Sequence, residues 1–433
     1  MRIFLLSSAS SIHTIRWANG LSNAGHEVHV ATQQLPVEPF DPAVTVHQFP
    51  DRGVLGYFTM IPRVRRLLRE IKPEIVNAHY ASGYGTTARL VDYRPWILSV
   101  WGSDVYHFPY KSPFHKWLLK KNLGAADKVA STSHCMANET RTLAPELTDV
   151  AITPFGVDLE QFKIDSPLAE RDQSHVVIGT VKTMAPKYGI STLIHAFSVL
   201  RGKLISSNSS IGVKLRLRLV GDGPQKRILK QLTRELRIDN ITEFVSRVPH
   251  SQVPLELSKL DVYVALSDSE SFGVAIIEAG AAGRPVVVSD AGGLPEVTLD
   301  GVTGFVVPRN NPEAAADAIH RLVLDEGLRK QMGEAGCTHV AKNYAWSACV
   351  DQMVSVYESV ITDEEFIKFV DTGKVSKSIL RKIADKVKNQ EPLTQEEMAV
   401  YETKIREIND LLIEDTKSEE SDELDEEFDF DDL

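Results

Sequence analysis

The sequence predicts an α/β protein with two domains, each built around a parallel sheet, followed by a small helical extension. Three observations support this fold class. Short apolar segments alternate with amphipathic ones, the alternation runs through the chain twice, and a polar stretch over 161–174 separates the two series. Alternating strands and helices favour parallel sheets, and 433 residues suffice for two ordinary domains and an appendage.

The first series of strands is predicted over 3–7, 27–32, 75–79, 96–101, 128–132 and 150–153. Apolar residues at helical spacing predict helices over 14–24 and 62–71. The second series of strands is predicted over 176–181, 215–220, 262–266 and 285–289. Ligands of parallel sheets bind at the carboxyl ends of the strands, so we expect a site in the cleft between the two domains.

These segments place the first domain at 1–160, the second at 175–345 and a final helix at 346–361. A helical appendage is predicted over 363–413, because Thr362 with Glu365 and Thr394 with Glu397 fit the capping-box pattern. Residues 414–433 hold twelve acids and one lysine, which account for the whole net charge of −11. This acidic tail is predicted to be disordered. Solvation alone explains its charge, and an unknown binding partner is the alternative.

The composition indicates a cytoplasmic protein. The three cysteines are far apart without metal-ligand spacing, which favours reduced thiols. The apolar run at the amino terminus is too short for a signal peptide and is interpreted as a first buried strand. No apolar stretch is long enough to cross a membrane.

Two glutamates, Glu270 and Glu278, are the most informative residues. Glu270 follows an apolar strand, and Glu278 lies about two turns further along, in the predicted helix that carries Gly273 near its amino terminus. The amino terminus of that helix favours an anion, and carboxylates accept hydrogen bonds from sugar hydroxyls. The pattern therefore suits a ligand with phosphates and hydroxyls. Two solvated acids near a helix start are the alternative.

Five ordered blocks extend this pattern: Gly156-Val157-Asp158, residues 219–224, the two glutamates at E-x7-E spacing, residues 292–297 and residues 301–305. Together they resemble retaining glycosyltransferases of family 4, over about residues 1–360. The resemblance implies the GT-B architecture, in which two Rossmann-like domains face a cleft and the helix at 346–361 crosses back to the first domain.

The resemblance also implies roles for residues of the second domain. Lys182 and Lys187 match an Arg…Lys pair that neutralises the donor diphosphate, with Lys replacing Arg at 182. Glu270 would lie beside the donor sugar and act in catalysis with both lysines. The implied donor-binding residues are Glu278 at the ribose, Val248 at the base, and Phe272, Gly273 and Val274 at the sugar or phosphate. Surface lysines without a ligand are the alternative for the pair.

The first domain is implied to bind the acceptor. Ser10 and Ser11 stand where many relatives have a glycine pair against the diphosphate. Trp101 replaces the usual histidine of a His-Gly-x-Asp block, so that histidine's role is not transferred. Asp104, His79 and His107 are acceptor-side candidates. A hydrogen bond within the loop is the alternative for Asp104, and purely structural roles are the alternative for the histidines.

The implied reaction moves a hexose or aminohexose from a nucleotide sugar to a glycan or lipid-linked acceptor, with retention, in cell-surface polysaccharide assembly. No cofactor or metal is expected, because Asp-x-Asp metal motifs belong to another glycosyltransferase fold. No nucleic-acid partner is expected. Aromatic and basic residues over 113–124, with arginines over 63–69, predict peripheral contact with the inner face of the membrane; ordinary solvated helices are the alternative.

Two other functions fit parts of the pattern. An epimerase or phosphorylase of the same fold would lack this spacing of Lys182, Lys187, Glu270 and Glu278. A non-catalytic binding module is conceivable because of Trp101. A dehydrogenase is disfavoured, because no Gly-x-Gly-x-x-Gly follows the first strand.

Overall fold

The computed structural model describes residues 1–147, 149–163, 175–207 and 211–372, with residues 383 and 386 and parts of 392–403. The chain divides into two units, Met1–Ser355 and Val356–Leu433. Two parallel sheets lie in the first unit, so the predicted fold class is confirmed. Most of the predicted linker and the whole acidic tail lie outside the described residues.

The first sheet has seven strands among the described residues: β1 (Arg2–Leu6), β2 (Glu27–Thr32), β3 (Thr45–Gln48), β4 (Ile75–His79), β5 (Trp96–Val100), β6 (Lys128–Ser131) and β7 (Val150–Ile152). Their order is β3-β2-β1-β4-β5-β6-β7, and every pair is parallel. The central strands are buried on both faces, as parallel sheets require.

The second sheet has six described strands: β8 (Val176–Val181), β9 (Leu215–Val220), β10 (Thr242–Val245), β11 (Val262–Ala265), β12 (Val286–Ser289) and β13 (Gly304–Val307). Their order is β10-β9-β8-β11-β12-β13, again all parallel. Each sheet has its own cluster of buried apolar side chains. We call the parts of the chain around the two sheets the first and second halves.

Three strands are missing from the sequence prediction, namely β3, β10 and β13. All three are edge strands of four residues, and β3 and β10 contain polar or charged side chains. β3 and β10 are only partly buried, so they lack the continuous apolar run that identified the central strands. β13 is apolar and mostly buried, but its apolar run after Gly304 is only three residues long.

The helices of the first half are α1 (Ile12–Asn23), α2 (Gly56–Thr59), α3 (Ile61–Ile71), α4 (Gly83–Val91), α5 (Ser103–Tyr106), α6 (Pro113–Leu123), α7 (His134–Leu143) and α8 (Leu159–Phe162). Those of the second half are α9 (Ile190–Ser206), α10 (Ile211–Lys214), α11 (Lys226–Glu235), α12 (Val253–Ser258), α13 (Val274–Ala281), α14 (Leu294–Val297), α15 (Pro312–Leu324) and α16 (Glu326–Tyr344). None of the helices formed by the described residues is long and apolar enough to cross a bilayer.

The last long helix, α17 (Trp346–Thr372), returns to the first half as the resemblance implied. The Trp346 ring lies 5.0 Å from that of Trp17, and the Gln352 side chain donates to the Ile152 carbonyl at 2.8 Å. The predicted end at 361 is wrong. Thr362 caps no new helix, because its hydroxyl donates to the Glu358 carbonyl within α17.

The second predicted capping box is confirmed. The Thr394 N–H donates to the Glu397 carboxylate at 2.8 Å, and the Glu397 N–H donates to the Thr394 hydroxyl at 3.1 Å. This reciprocal pair begins a helical turn within the predicted appendage. The other residues of the appendage after Thr372 lie mostly outside the described part of the chain.

Candidate active site

The candidate site lies where the strand order of each sheet reverses. In the second sheet this point is between β8 and β11, and the loops after these strands carry Lys182 and Glu270. In the first sheet it is between β1 and β4, with β5 beside them. Parallel sheets bind ligands at this kind of crevice, because the loops on its two sides diverge.

A cavity of about 290 Å³ lies between these loops. It brings together seven of the residues predicted from the sequence: Lys182, Lys187, Glu270, Phe272, Gly273, Val274 and His107. Its other walls come from both halves of the unit: His13, Tyr80, Trp101, Gly102, Ser103, Tyr106, Phe155, Tyr188, Ser269 and Ser271.

Lys182 and Glu270 form an ion pair with 2.6 Å between Nζ and Oε2. Both side chains are only 14% exposed, so water screens the pair weakly. Burial favours the neutral amine, but the Glu270 carboxylate outweighs it and raises the pKa of Lys182 above its usual value. Lys182 therefore carries a permanent positive charge inside the cavity.

Tyr188 holds the two lysines together. The ammonium of Lys182 lies 4.7 Å from the centre of its ring, and that of Lys187 lies 4.9 Å away. An aromatic face attracts cations, which offsets part of the repulsion between the two charges. Tyr188 belongs to a short 3₁₀ turn over Pro186–Tyr188 that ends at Gly189. No sequence motif marked this tyrosine.

Glycine allows the Glu270 loop its close packing. Gly292 has φ +50°, and a Cβ there would lie 1.8 Å from the Glu270 carbonyl oxygen. The Gly293 N–H donates to that same carbonyl at 3.0 Å. A side chain at 292 would push the loop away, so the glycine pair fixes the position of Glu270.

Glu278 does not line this cavity. It lies in α13, buried, and its Oε1 is 2.8 Å from Nε2 of His250. Val248 lines a neighbouring groove of about 470 Å³ whose wall also includes Lys182. Lys182 thus joins the groove to the cavity. Glu278 and Val248 do not line the cavity with the other predicted residues.

Asp104 lies outside the cavity lining and is a structural residue. Its buried carboxylate accepts the backbone N–H groups of Ala81, Trp101 and Gly102 at 2.8, 3.2 and 2.8 Å. Burial raises the pKa of Asp104, and these hydrogen bonds oppose the increase. The carboxylate therefore ties the loop after β5 to the loop after β4.

His79 is likewise packed inside the first half. Its Nδ1 is 2.9 Å from the Ser7 hydroxyl, and its ring lies 4.2 Å from that of Trp101. Burial lowers the pKa of His79 to about 3, so the imidazole is neutral. Among the histidines predicted for the acceptor side, His107 lines the cavity and His79 does not.

The predicted serines also lie away from the cavity lining. Ser10 is exposed and hydrogen-bonds the Ser8 hydroxyl at 2.8 Å, and Ser11 precedes α1 without capping it through its side chain. His13, in the first turn of α1, does reach the cavity, and its ring stacks 4.1 Å from that of Phe155. Burial lowers the pKa of His13 to about 3, with smaller contributions from Arg16 and His250.

The Trp101 side chain is buried among other aromatic rings. Rings of four neighbours surround it, and it is 6% exposed. One of them, Tyr80, has φ +72°, an uncommon conformation for a residue with a side chain. Two backbone hydrogen bonds hold it, from its N–H to the Ser99 carbonyl and from the Gly85 N–H to its carbonyl, each 3.0 Å. Nothing in the local sequence marked Tyr80.

Within the described part of the chain, no group of three histidine, cysteine or acidic side chains is arranged to hold a metal ion. The sequence Asp429-Phe430-Asp431, which has the Asp-x-Asp pattern, lies outside that part.

Family models match both halves. Residues 2–133 match the model for "Glycosyl transferase 4-like", and residues 162–339 match that for "Glycosyl transferases group 1". One relative, the N-acetyl-alpha-D-glucosaminyl L-malate synthase of Bacillus anthracis, is 26% identical over 80% of this chain and 92% of its own. Another, a D-inositol 3-phosphate glycosyltransferase of Kribbella flavida, is 29% identical over 54% of this chain and 57% of its own.

Solved structures share the fold. Sucrose-phosphate synthase from Thermosynechococcus elongatus gives a TM-score of 0.72 at 20% identity, over 84% of this chain and all of that one. HepE of Anabaena, solved with UDP, gives 0.68 at 18% identity, over 83% of this chain and 99% of its own. These likenesses show the GT-B fold. The two family models, which together match most of the chain, show that it is a glycosyltransferase of family 4.

Proposed function

We propose that this glycosyltransferase moves a hexose or aminohexose from a nucleotide-sugar donor to a glycan or lipid-linked acceptor, with retention at the anomeric carbon. The observation that carries the proposal is the cavity in which Lys182, Lys187 and Glu270 meet beside the start of α13. It pairs two cations for a diphosphate with a carboxylate for a sugar. HepE, which shares the fold, was solved with UDP-glucose, and the Bacillus relative's name contains an aminohexose.

The donor diphosphate would take Glu270's place beside Lys182. Before the donor arrives, the two side chains neutralise each other at 2.6 Å. A diphosphate carries more negative charge than one carboxylate and would compete for the ammonium, which frees Glu270 to accept sugar hydroxyls. As the bond between sugar and phosphate breaks, both lysines would stabilise the charge that grows on the leaving group.

The remaining donor would extend along the neighbouring groove. Val248 lines this groove and would contact the base. Glu278, which is held by His250, would accept the ribose hydroxyls. The acceptor would enter from the first half, past His107 and Tyr80. No cofactor is required by this mechanism, because the lysine pair carries the charge that a divalent metal carries in other transferases. That independence from metal is part of the proposal.

Proton nuclear magnetic resonance of the reaction tests this function. The protein would be incubated with UDP-glucose or UDP-N-acetylglucosamine, with excess chelator, and the anomeric configuration of the first product followed. The proposal predicts an α-configured product from these α-linked donors, at a rate that the chelator does not change. A β-configured product would exclude retention, and loss of activity with chelator would exclude independence from metal.

We also propose that α6 brings the enzyme to anionic membranes, where polysaccharide assembly uses lipid-linked acceptors. Phe114 and Trp117 are 62% and 51% exposed, and their rings stack 5.8 Å apart beside the exposed Lys116. Sedimentation with phosphatidylglycerol vesicles should recover the wild-type protein and not the Phe114→Ser, Trp117→Ser variant. Equal sedimentation with neutral phosphatidylcholine vesicles would contradict a charge-dependent contact.

A further inference from the structure

The amino terminus of α7 depends on the opposite half of the molecule. The N–H groups of His134 and Cys135, the first two residues of this helix, donate to the Glu296 carboxylate at 2.8 and 2.6 Å. Such N–H groups have no partner within a helix. Glu296 lies in α14, among the loops of the second sheet, so the two halves are joined by a carboxylate at a helix amino terminus.

Ser133 adds a second bond across the same junction. Its hydroxyl accepts the Met136 N–H at 3.1 Å, which caps α7, and donates to the Ser271 carbonyl at 2.6 Å. Ser271 directly follows Glu270, so the cap of a first-half helix holds the backbone of the Glu270 loop. The Ser271 hydroxyl in turn donates to the Trp101 carbonyl at 3.4 Å.

The contacts at Glu296 and at the Ser271 carbonyl are connected to each other through the backbone of the second half. Only two residues lie between Gly293 and Glu296, and the Gly293 N–H donates to the Glu270 carbonyl at 3.0 Å. The Tyr344 hydroxyl donates to the Glu296 carbonyl at 3.4 Å, which adds a further hydrogen bond to α14. A movement of α7 away from Glu296 would therefore also release the Ser271 carbonyl.

We propose that the hydrogen bonds made by Glu296 and Ser133 form a latch between the two halves. This latch holds the amino terminus of α7 against the second half and sets the position of the Glu270 loop for catalysis. Glu296 is a positioning residue, since it does not line the cavity. When the halves separate, water replaces Glu296 at the His134 and Cys135 N–H groups, and the loop loses its bond to Ser133. Closure of the halves and alignment of Glu270 become one event.

Hydrogen exchange tests the latch without any substrate. The His134 and Cys135 amides should exchange at least about ten times faster in Glu296→Ala than in the wild type, because exposed first-turn amides are ordinarily unprotected. Glu313→Ala, which removes an exposed carboxylate from the first turn of α15, is the matched control and should leave both amides unchanged. Equal exchange in the wild type and Glu296→Ala would overturn the latch.

Kinetics test its role in catalysis, and this step rests on the proposed function. Glu296→Ala should lower kcat for UDP-glucose turnover about tenfold, while its affinity for UDP stays within about twofold of the wild-type value. The kcat of Glu296→Gln should lie between those of the wild type and Glu296→Ala. A parallel loss of UDP affinity would mean that Glu296 only supports the second half. If the wild type bound no UDP, the proposed function would fail, and the exchange result would still decide the latch.

A proline at position 134 would remove the N–H donor of the latch, whereas Glu296→Ala removes its acceptor. His134→Pro deletes one N–H at the first helical position, where proline is tolerated, and Ser133 already has the extended backbone that precedes proline (φ −151°, ψ 157°). The latch predicts that the double variant with Glu296→Ala is no slower than Glu296→Ala alone. Multiplying losses would show that the two residues act separately and would overturn the proposal.

Discussion

The carboxyl edges of the two sheets use the same kinds of residue in opposite ways. At the second sheet, Lys182 and Glu270 face the cavity, and their charges satisfy each other there. At the first sheet, the buried Asp104 accepts backbone N–H groups of two loops, and the buried His79 contacts the Ser7 hydroxyl. A polar side chain after a parallel strand is thus a candidate for function, but the backbone N–H groups within its reach decide whether it serves the ligand or the fold.

The largest effect should come from the second edge. Lys182→Ala removes a buried charge from the leaving-group side and leaves Glu270 unpaired, so kcat for donor turnover should fall about 100- to 1000-fold. Steady-state kinetics with UDP-glucose would measure this, with the exposed Lys342→Ala as the control. A loss below threefold would remove Lys182 from the mechanism.

Glu278→Ala should weaken UDP binding by about 1–3 kcal/mol, through loss of hydrogen bonds to the ribose. Calorimetry with UDP and with 2′-deoxy-UDP would separate this role from a general loss of structure. The variant should bind both nucleotides alike, whereas the wild type should prefer UDP. An unchanged preference would assign Glu278 to its contact with His250 alone.

At the first edge the same kind of substitution should affect folding instead. Asp104→Ala leaves three backbone N–H groups without their acceptor and should lower the free energy of unfolding by about 1–3 kcal/mol. Chemical denaturation would measure the loss, and UDP affinity below the transition should be unchanged. A stable protein with impaired transfer would instead place Asp104 in the acceptor site.

His79 should make stability depend on pH. The folded protein keeps its pKa near 3, against a usual 6.5 in the unfolded chain, so acid favours the unfolded state. Above pH 6.5 the neutral His79 leaves the free energy of unfolding unchanged. As the pH falls from 6.5 to 5, protonation of His79 in the unfolded chain should lower the free energy of unfolding by about 2 kcal/mol. Thermal unfolding of the wild type and His79→Asn across this range should converge as the pH falls. Parallel curves would show that His79 does not titrate on unfolding.

The sequence predicted the buried strands and the residues of the second edge because each signal is local. An apolar run identifies a central strand such as β11, and the next residues carry the loop chemistry, Glu270 included. The edge strands β3 and β10 were missed because their partly exposed residues give a weak pattern, and β13 was missed because its apolar run is short. The end of α17 was misplaced because a Thr–Glu pair four turns into a helix looks like a cap.

Long-range contacts could not be predicted. Glu296 meets Cys135 across 161 residues, and Tyr80 takes its conformation from hydrogen bonds to Ser99 and Gly85. The role of Asp104 depends on which N–H groups surround it, which a motif does not contain. The sequence therefore identified the charged groups of the candidate site, while packing decided which of them reach the cavity.

The central claim is that Lys182 and Lys187 together hold a diphosphate. Calorimetric titration of UDP and of uridine into the wild type and the Lys182→Ala, Lys187→Ala double variant tests it directly. The wild type should bind UDP on the order of 100-fold more tightly than uridine, because charge-assisted bonds to phosphate add to base and ribose contacts. The double variant should lose most of that preference while its uridine affinity is unchanged. A preference for UDP that survives removal of both lysines would contradict the account.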